Sequence, residues 1–494
     1  MHALETPQTW AKTHFGRVEM SDVRRVARVV TIAEAMATHP GHSLPQMFEN
    51  PYEVKAAYHF CNLEEATPDR LQAGHRSLVK QCLCQAGTYL LLEDTSELAW
   101  QDCAPRAGLG ALGANCDRYQ GVHLHSVLAV RWTGVPAAGA WRRPEVEIIG
   151  LCDQQYYIRQ PRPEGEPKRN SRVRKSRDRE SQLWAQATQR IGSKIADSAV
   201  RWVRVCDRGA DIYEHLQVCQ RAGQGFVIRA SQDRTLLAAG TTQNNERLFA
   251  TAQASPALGH FALGHFALEL RARPQQPART AELAVSATRV ALRAPQRPGC
   301  SPGRYPPIQC SAIRVWEIAA PAGVEPLGLN HWHGCCYVTK RWRHLRQHTP
   351  VWCSMPLAGS SKSSTRPSRK ALKSGLGVQR LQLKTAQRLF AAIALLSVVA
   401  LRLLDLREHL RVAPDQPAEK SGLEALQLEV LRLQSKRAIK TVQDVALALG
   451  RLGGHLNRKG DGAPGWQVLW RGMQQLQTIV EGVHLASRLK QEFG

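Results

Sequence analysis

"TYLLLEDTSEL", residues 88–98, decides how the rest of the chain is read. It is a continuous apolar run that stops abruptly at Glu93 and Asp94, the pattern of a buried strand delivering a carboxylate to the edge of a sheet. Downstream, "GVHLHSVLAVRW" (121–132) and "EVEIIGLCDQQYYIR" (145–159) read as two strands of a hairpin, joined through the Gly/Pro/Ala loop "TGVPAAGA". A charged loop then leads into the helix-like "SQLWAQATQRIGSKIADSA" (181–199). Another strand follows in "RWVRVCDRGADIYEHL" (201–216), where Val203, Val205 and Asp207 share a face by alternation. A helix from about Ile212 and the strand "GFVIRAS" (225–231) complete the series.

Three strands, a helix, a strand, a helix and a strand, with aspartates ending the first and fourth strands, is the order of a ribonuclease-H-like α/β core. A sheet of that order sets two aspartates that are distant in sequence side by side. Such a pair holds Mg²⁺ ions that activate a water and steady the leaving oxygen of a phosphodiester. The plainer reading, in which Asp94 and Asp207 only cap helices or close turns, stays open at this point. From about 240 the pattern changes to short alternating strands with Pro-rich turns, which reads as a β-strand insertion extending to about 345. It contains the tandem duplication "LGHFALGHFAL" (258–268).

The flanks are helical. In "SDVRRVARVVTIAEAMATH" (21–39), Ser21 or Asp22 starts a helix with Val26, Val29, Val30, Ile32 and Ala33 on one side and Arg24, Arg25 and Arg28 on another. Residues 1–70 therefore read as a helical module whose arginines lie along DNA phosphates, with a merely solvated basic face as the competing view. The C-terminal region, 386–494, carries apolar stripes suited to core packing or to a dimer face. Its most apolar run, "LFAAIALLSVVAL" (389–401), is too short to span a bilayer and reads as a buried core helix, so no membrane partner is expected.

Composition narrows the function classes. Lys and Arg number 66 against 41 acids, a formal charge of +25 with a pI near 10, which points to a polyanionic partner with nucleic acid foremost. The 13 cysteines are scattered without CxxC pairs, as expected of reduced thiols in a cytoplasmic protein rather than a disulfide scaffold.

These residues resemble the cut-and-paste DDE transposases of the Tn-five-like, insertion-sequence-four family. "TWAKTHFGRVEMSDVRRVARVV" looks like the family's end-binding helices, "LLLEDTSEL" and "VCDRGADIY" its two catalytic strands, "HSVLAV" the intervening strand, and "RLGGHLNRKGDGAPGWQVLWRGMQQL" the C-terminal dimerisation region. The resemblance implies a DNA transposase acting as a homodimer on double-stranded DNA. It would bind transposon ends, hydrolyse the strand with two Mg²⁺ ions and join the freed end to target DNA, in a bacterial cytoplasm at the nucleoid. It makes Asp94 and Asp207 the first two metal-binding catalytic carboxylates and places Arg208 and Arg229 near DNA. The implied domains are 1–70 for end binding, 71–385 for catalysis and 386–494 for dimerisation.

The family's third element is a helix with the spacing Y-x2-R-x3-E-x6-K. "KALKSGLGVQRLQ" (370–382) matches its end, so Lys370 and Lys373 are the DNA-binding candidates there. The Glu that belongs just upstream is missing, because no carboxylate occurs between Glu325 and Asp405. Residues 328–369 depart from their surroundings, with three Cys, three Trp and four His, and read as out of frame. Shifting that frame permits Y-A-x-R-W-x-(V/I/L)-E-E-F-H-K-A, with the first Glu codon straddling Ser361 and Lys362. His331, His333, Cys335 and Cys336, which look like metal ligands in isolation, are spaced poorly for a tetrahedral ion and are not read as a site. The expectation is a transposase by family with its third catalytic Glu absent, and little or no cleavage. The alternative is a catalytically dead end-binding protein or inhibitor. Glu93 and Asp211 are the nearby acids able to stand in for the missing Glu.

Overall fold

The run at 88–98 forms strand β1 (Gly87–Trp100), and it continues past Asp94 instead of ending there. From Gly87 to Glu93 it is paired on both sides, antiparallel to β3 (Gln120–Gly134) and parallel to β5 (Val200–Cys206). Beyond Glu93 the β5 neighbour stops, and β1 runs on against β3 alone to the pair Trp100↔Gln120. Glu93 and Asp94 thus lie inside a central strand, at the level where one of its two neighbours ends, and not at a sheet edge. The computed structural model describes residues 5–100, 106–112, 119–134, 145–160, 178–237, 246–256, 265–270, 279–296, 305–318, 335–339, 376–412, 414–458 and 461–493.

The strands join one mixed sheet. β4 (Glu145–Tyr157) pairs with β3 as the expected hairpin, and β6 (Gly225–Arg229) lies parallel to β5. The order across this half is β4-β3-β1-β5-β6, with the two-residue β2 (Gly110–Ala111) also on β3. The insertion supplies β7 (His265–Leu270), β8 (Arg279–Leu292) and β9 (Ile308–Glu317), which continue the same sheet through β10 (Cys335–Thr339). β10 lies antiparallel between β6 and β9, so residues 335–339 hold a strand position within the compositionally aberrant segment. Lys370, Lys373, His331 and His333 lie outside the described residues.

Helices α1 (Pro7–Phe15), α2 (Val23–Thr38), α3 (Leu44–Met47), α4 (Pro51–Phe60) and α5 (Pro68–Leu83) precede the sheet. Thr6, Asp22, Asn50 and Thr67 cap α1, α2, α4 and α5 through their side chains, so Asp22 rather than Ser21 starts the arginine-bearing helix. Within the sheet region α6 (Leu183–Ile191) is shorter than its apolar pattern suggests. Gly192, at φ 88°, turns the chain out of the helix. α7 (Tyr213–Arg221) and α8 (Leu248–Ala254) follow.

The apolar run at 389–401 is part of α9 (Ala386–Val412), which at 27 residues is long enough to cross a bilayer, contrary to the expectation from the run alone. It is instead a core helix: 89% of its most apolar window is buried inside the protein. α9 covers the sheet face that presents Leu90, Leu92, Leu124, Val205 and Val227. Tyr89, Leu91, Val127, Ala129 and Trp202 point to the other face, where Val79 and Leu83 of α5 and Ala187 of α6 meet them. A sheet apolar on both faces has to be sandwiched, which is why β1 reads as a continuous apolar run from Tyr89 to Leu92. The chain ends in α10 (Ala425–Gln434), α11 (Val442–Leu452) and α12 (Trp466–Phe493).

Candidate metal and DNA site

The strand register places the residues just before the two aspartates beside each other. Glu93↔Cys206 is the last parallel pair of β1 and β5, and Cys206↔Ile228 is the last of β5 and β6. The residues that follow these last pairs are Asp94 on β1, Asp207 just past the end of β5 and Arg229 at the end of β6. Across the antiparallel side the level of Asp94 continues as Ser126 and Gln154, since Asp94 pairs with Ser126 and Ser126 with Gln154. Leu92 and Val227, each two residues earlier on their strands, belong to the core under α9, so alternation turns Asp94 and Arg229 toward the α9 side, while Asp207 follows the end of β5 and opens a turn. At the far end of this polar row Gln154 donates to Ser126 Oγ at 3.1 Å and to Ser397 Oγ of α9 at 3.0 Å, tying the helix to the sheet.

Asp207 does cap a turn: its Oδ1 accepts the Gly209 N–H at 2.7 Å and opens the short 3-10 turn Arg208–Ala210. Asp94 is half-buried within its strand. Arg229 is nearly buried, whereas Arg208 is exposed on the turn.

The two acids considered as stand-ins for the missing Glu are both committed elsewhere. Glu93 faces the opposite side of the sheet from Asp94 and is fully buried, ion-paired with Arg204 and bonded to His125 Nε2 at 2.8 Å. Burial pushes its carboxyl up, and the adjacent Arg204 guanidinium with His125 outweighs this to hold it at about 2. Asp211 accepts the backbone N–H of Ser231 at 2.7 Å and of Gln232 at 2.8 Å and the Nε–H of Arg234 at 3.0 Å. Replacing the absent ligand with either acid would leave a buried cation or donors unpaired.

Ligand atoms of Glu93, Cys206 and His215 lie within 4.8 Å of one another. Arg204 already neutralises Glu93 there, and burial raises the Cys206 thiol well above its ordinary range and lowers His215 to about 4. The trio is a closed polar network behind the aspartates. Sequence reading missed it. The available signal was a charge inside each of two apolar strands, Glu93 and Arg204, both at positions that alternation turns inward.

On the N-terminal helices Arg24, Arg25 and Arg28 each meet a carboxylate: Arg24 pairs with Asp22 at 3.0 Å, Arg25 with Glu65 and Arg28 with Glu53. Arg24 is the most exposed, its side chain 89% accessible. Contact with phosphates requires these pairs to open or to be shared.

Comparison with protein families finds a transposase DNA-binding domain at residues 7–66 and a transposase Tn5 dimerisation domain at residues 414–493. Both matches are to domains of transposases, the second to that of Tn5. The first match spans α1 to α4 and the second α10 to α12, so the DNA-binding and dimerisation domains flank the sheet. The DNA-binding domain contains six Lys or Arg against seven Asp or Glu, so the chain's charge of +25 is carried outside it. In the dimerisation domain Val483, Leu485 and Leu489 are exposed along the last turns of α12.

Proposed function

We propose that the chain is a Tn5-family transposase built on a ribonuclease-H-like core in which Asp94 and Asp207 are metal-binding carboxylates, and that it binds and pairs transposon ends without cutting them. The observation that carries the reading is the last parallel pair of β1 and β5, Glu93↔Cys206, to which Asp94 and Asp207 are the next residues in the chain. The order β4-β3-β1-β5-β6, three antiparallel strands followed by two parallel ones, supports the core assignment. The donor set is carboxylate oxygen, which suits Mg²⁺. Bound there, Mg²⁺ would supply the activation of water and the neutralisation of phosphodiester charge. Asp94 and Asp207 would hold it from one side, and Arg208, Arg229, Lys370 and Lys373 would attract the DNA strand.

A third carboxylate is needed to close such a site from the helix side, and the chain has none between Glu325 and Asp405. The ends would then be occupied through the N-terminal domain and brought together through the C-terminal one. This makes the protein an inhibitor of an intact relative.

With DNA carrying the transposon ends and Mg²⁺, the expected result is a retarded complex and no nicked product. Asp94→Ala should leave end affinity unchanged. Arg24→Ala or Arg25→Ala should weaken it, each lost phosphate contact flattening the salt dependence by about one unit of log–log slope. Mg²⁺-dependent nicking abolished by Asp94→Ala would overturn the inactive reading, and unchanged affinity without both arginines would overturn the assignment of the DNA-reading face.

A further inference from the structure

We infer that His125 and the Glu93–Arg204 ion pair are positioning residues that hold Asp94 and Asp207 side by side from the opposite face of the sheet. The inference rests on the proposed metal-binding role of the two aspartates.

The geometry is a clamp around Asp94. His125 of β3 contacts both of its chain neighbours, Glu93 Oε1 at 2.8 Å through Nε2 and Thr95 Oγ1 at 2.7 Å through Nδ1. Glu93 as a carboxylate only accepts, so Nε2 carries a proton and donates to it. Successive strand residues face opposite sides, and gripping the residues before and after Asp94 fixes the direction in which Asp94 leaves the backbone. Trp184 of α6 packs edge-on against the imidazole at 4.8 Å between centroids and keeps it in place.

The same carboxylate reaches across to β5. Arg204 bonds Glu93 Oε2, and Cys206, the residue before Asp207, places its Sγ 3.5 Å from that oxygen. Arg204 is braced in turn by Gln224, its Nε–H donating at 2.9 Å, and Gln224 donates to the Gly192 carbonyl at 2.7 Å. Glu93, His125 and Arg204 are each at most 1% exposed. A buried ion pair is a poor source of stability against apolar side chains of equal volume. It does specify register, because a slip of one residue between β1 and β5 would part Glu93 from Arg204 and turn Asp94 to the wrong face.

The test uses the full chain and Mn²⁺ alone as probe, followed by the paramagnetic resonance signal of the free ion. The wild type should bind Mn²⁺ and Asp94→Ala should not. The double variant Glu93→Gln/Arg204→Met removes both buried charges together and is expected to melt near the wild-type temperature while binding Mn²⁺ about tenfold more weakly, as for loss of groups that orient metal ligands. Thr95→Val removes one hydroxyl at a half-buried position and should weaken binding by a smaller factor. Wild-type affinity in both variants would overturn the positioning role. Absence of Asp94-dependent binding in the wild type would overturn the metal reading itself, and this inference with it.

Discussion

Acidification from pH 7 to pH 3 is expected to strip most of the stability of the sheet region, over two overlapping pH windows with different causes. The first belongs to buried neutral histidines. Burial lowers His215 to about 4 and His75 well below the ordinary 6.5, so in the folded protein both resist protonation. As pH falls below 6.5 the unfolded chain takes up protons that the folded chain refuses, and folding loses about 1.4 kcal/mol per pH unit for each group. For His215 this amounts to about 3 kcal/mol by pH 4.

The second window belongs to Glu93. Against the burial that raises it, Arg204 holds its folded value at about 2, compared with an ordinary 4.5. Its contribution is complete above 4.5 and is lost as pH falls toward 2, again about 3 kcal/mol. Urea midpoints followed by tryptophan fluorescence from pH 7 to 3 check both limbs. His215→Gln should flatten the upper limb and leave the lower one. Equal midpoints at pH 7 and pH 4.5 in the wild type would contradict the buried neutral histidines.

Gly472→Ala is expected to cost about 3 kcal/mol and to loosen the dimerisation domain. Gly472 of α12 crosses the end of α11 so closely that an added Cβ would lie 1.8 Å from the Leu449 carbonyl oxygen and 3.2 Å from the Gly453 nitrogen. Both atoms are backbone, so no rotamer change relieves the clash and the two helices must separate. Gly453→Ala meets the Val468 carbonyl oxygen at the same 1.8 Å. The control is on the same helix: a Cβ at Gly482 has nothing within 4 Å, and Gly482→Ala should gain up to about 1 kcal/mol of helix propensity. Thermal melting and sedimentation would read the result. If Gly472→Ala melts and associates like Gly482→Ala, the close helix crossing is wrong.

Local chemistry alone settled several elements of this protein. Apolar alternation and its interruptions located β1, β3, β4, β5 and β6, because a strand covered on both faces has to be apolar at successive positions and cannot hide that in its sequence. A capping residue, Ser21 or Asp22 in the sequence and Asp22 in the structure, located the start of the arginine-bearing helix, because the unpaired N–H groups of a helix start need a nearby acceptor. Asp94 and Asp207 stood out too, as two acids each following an apolar run.

Other features depended on partners remote in sequence. β1 runs past Asp94 because β3 is there to pair with it, and α9 is a core helix because a sheet face and other helices cover a stretch whose length and composition also suit a bilayer. Glu93 and Asp211 look like spare acids in the sequence. Only folding brings Arg204 to the first, and Arg234 with two backbone N–H groups to the second, removing both from consideration as metal ligands. The sequence determined the order of strands and helices and which side chains must be buried, since hydrophobic and capping preferences act within a few residues. The tertiary structure alone decided which buried charges are neutralised and where β5 ends against β1, since pairing and register are set by strands that meet only when the sheet closes.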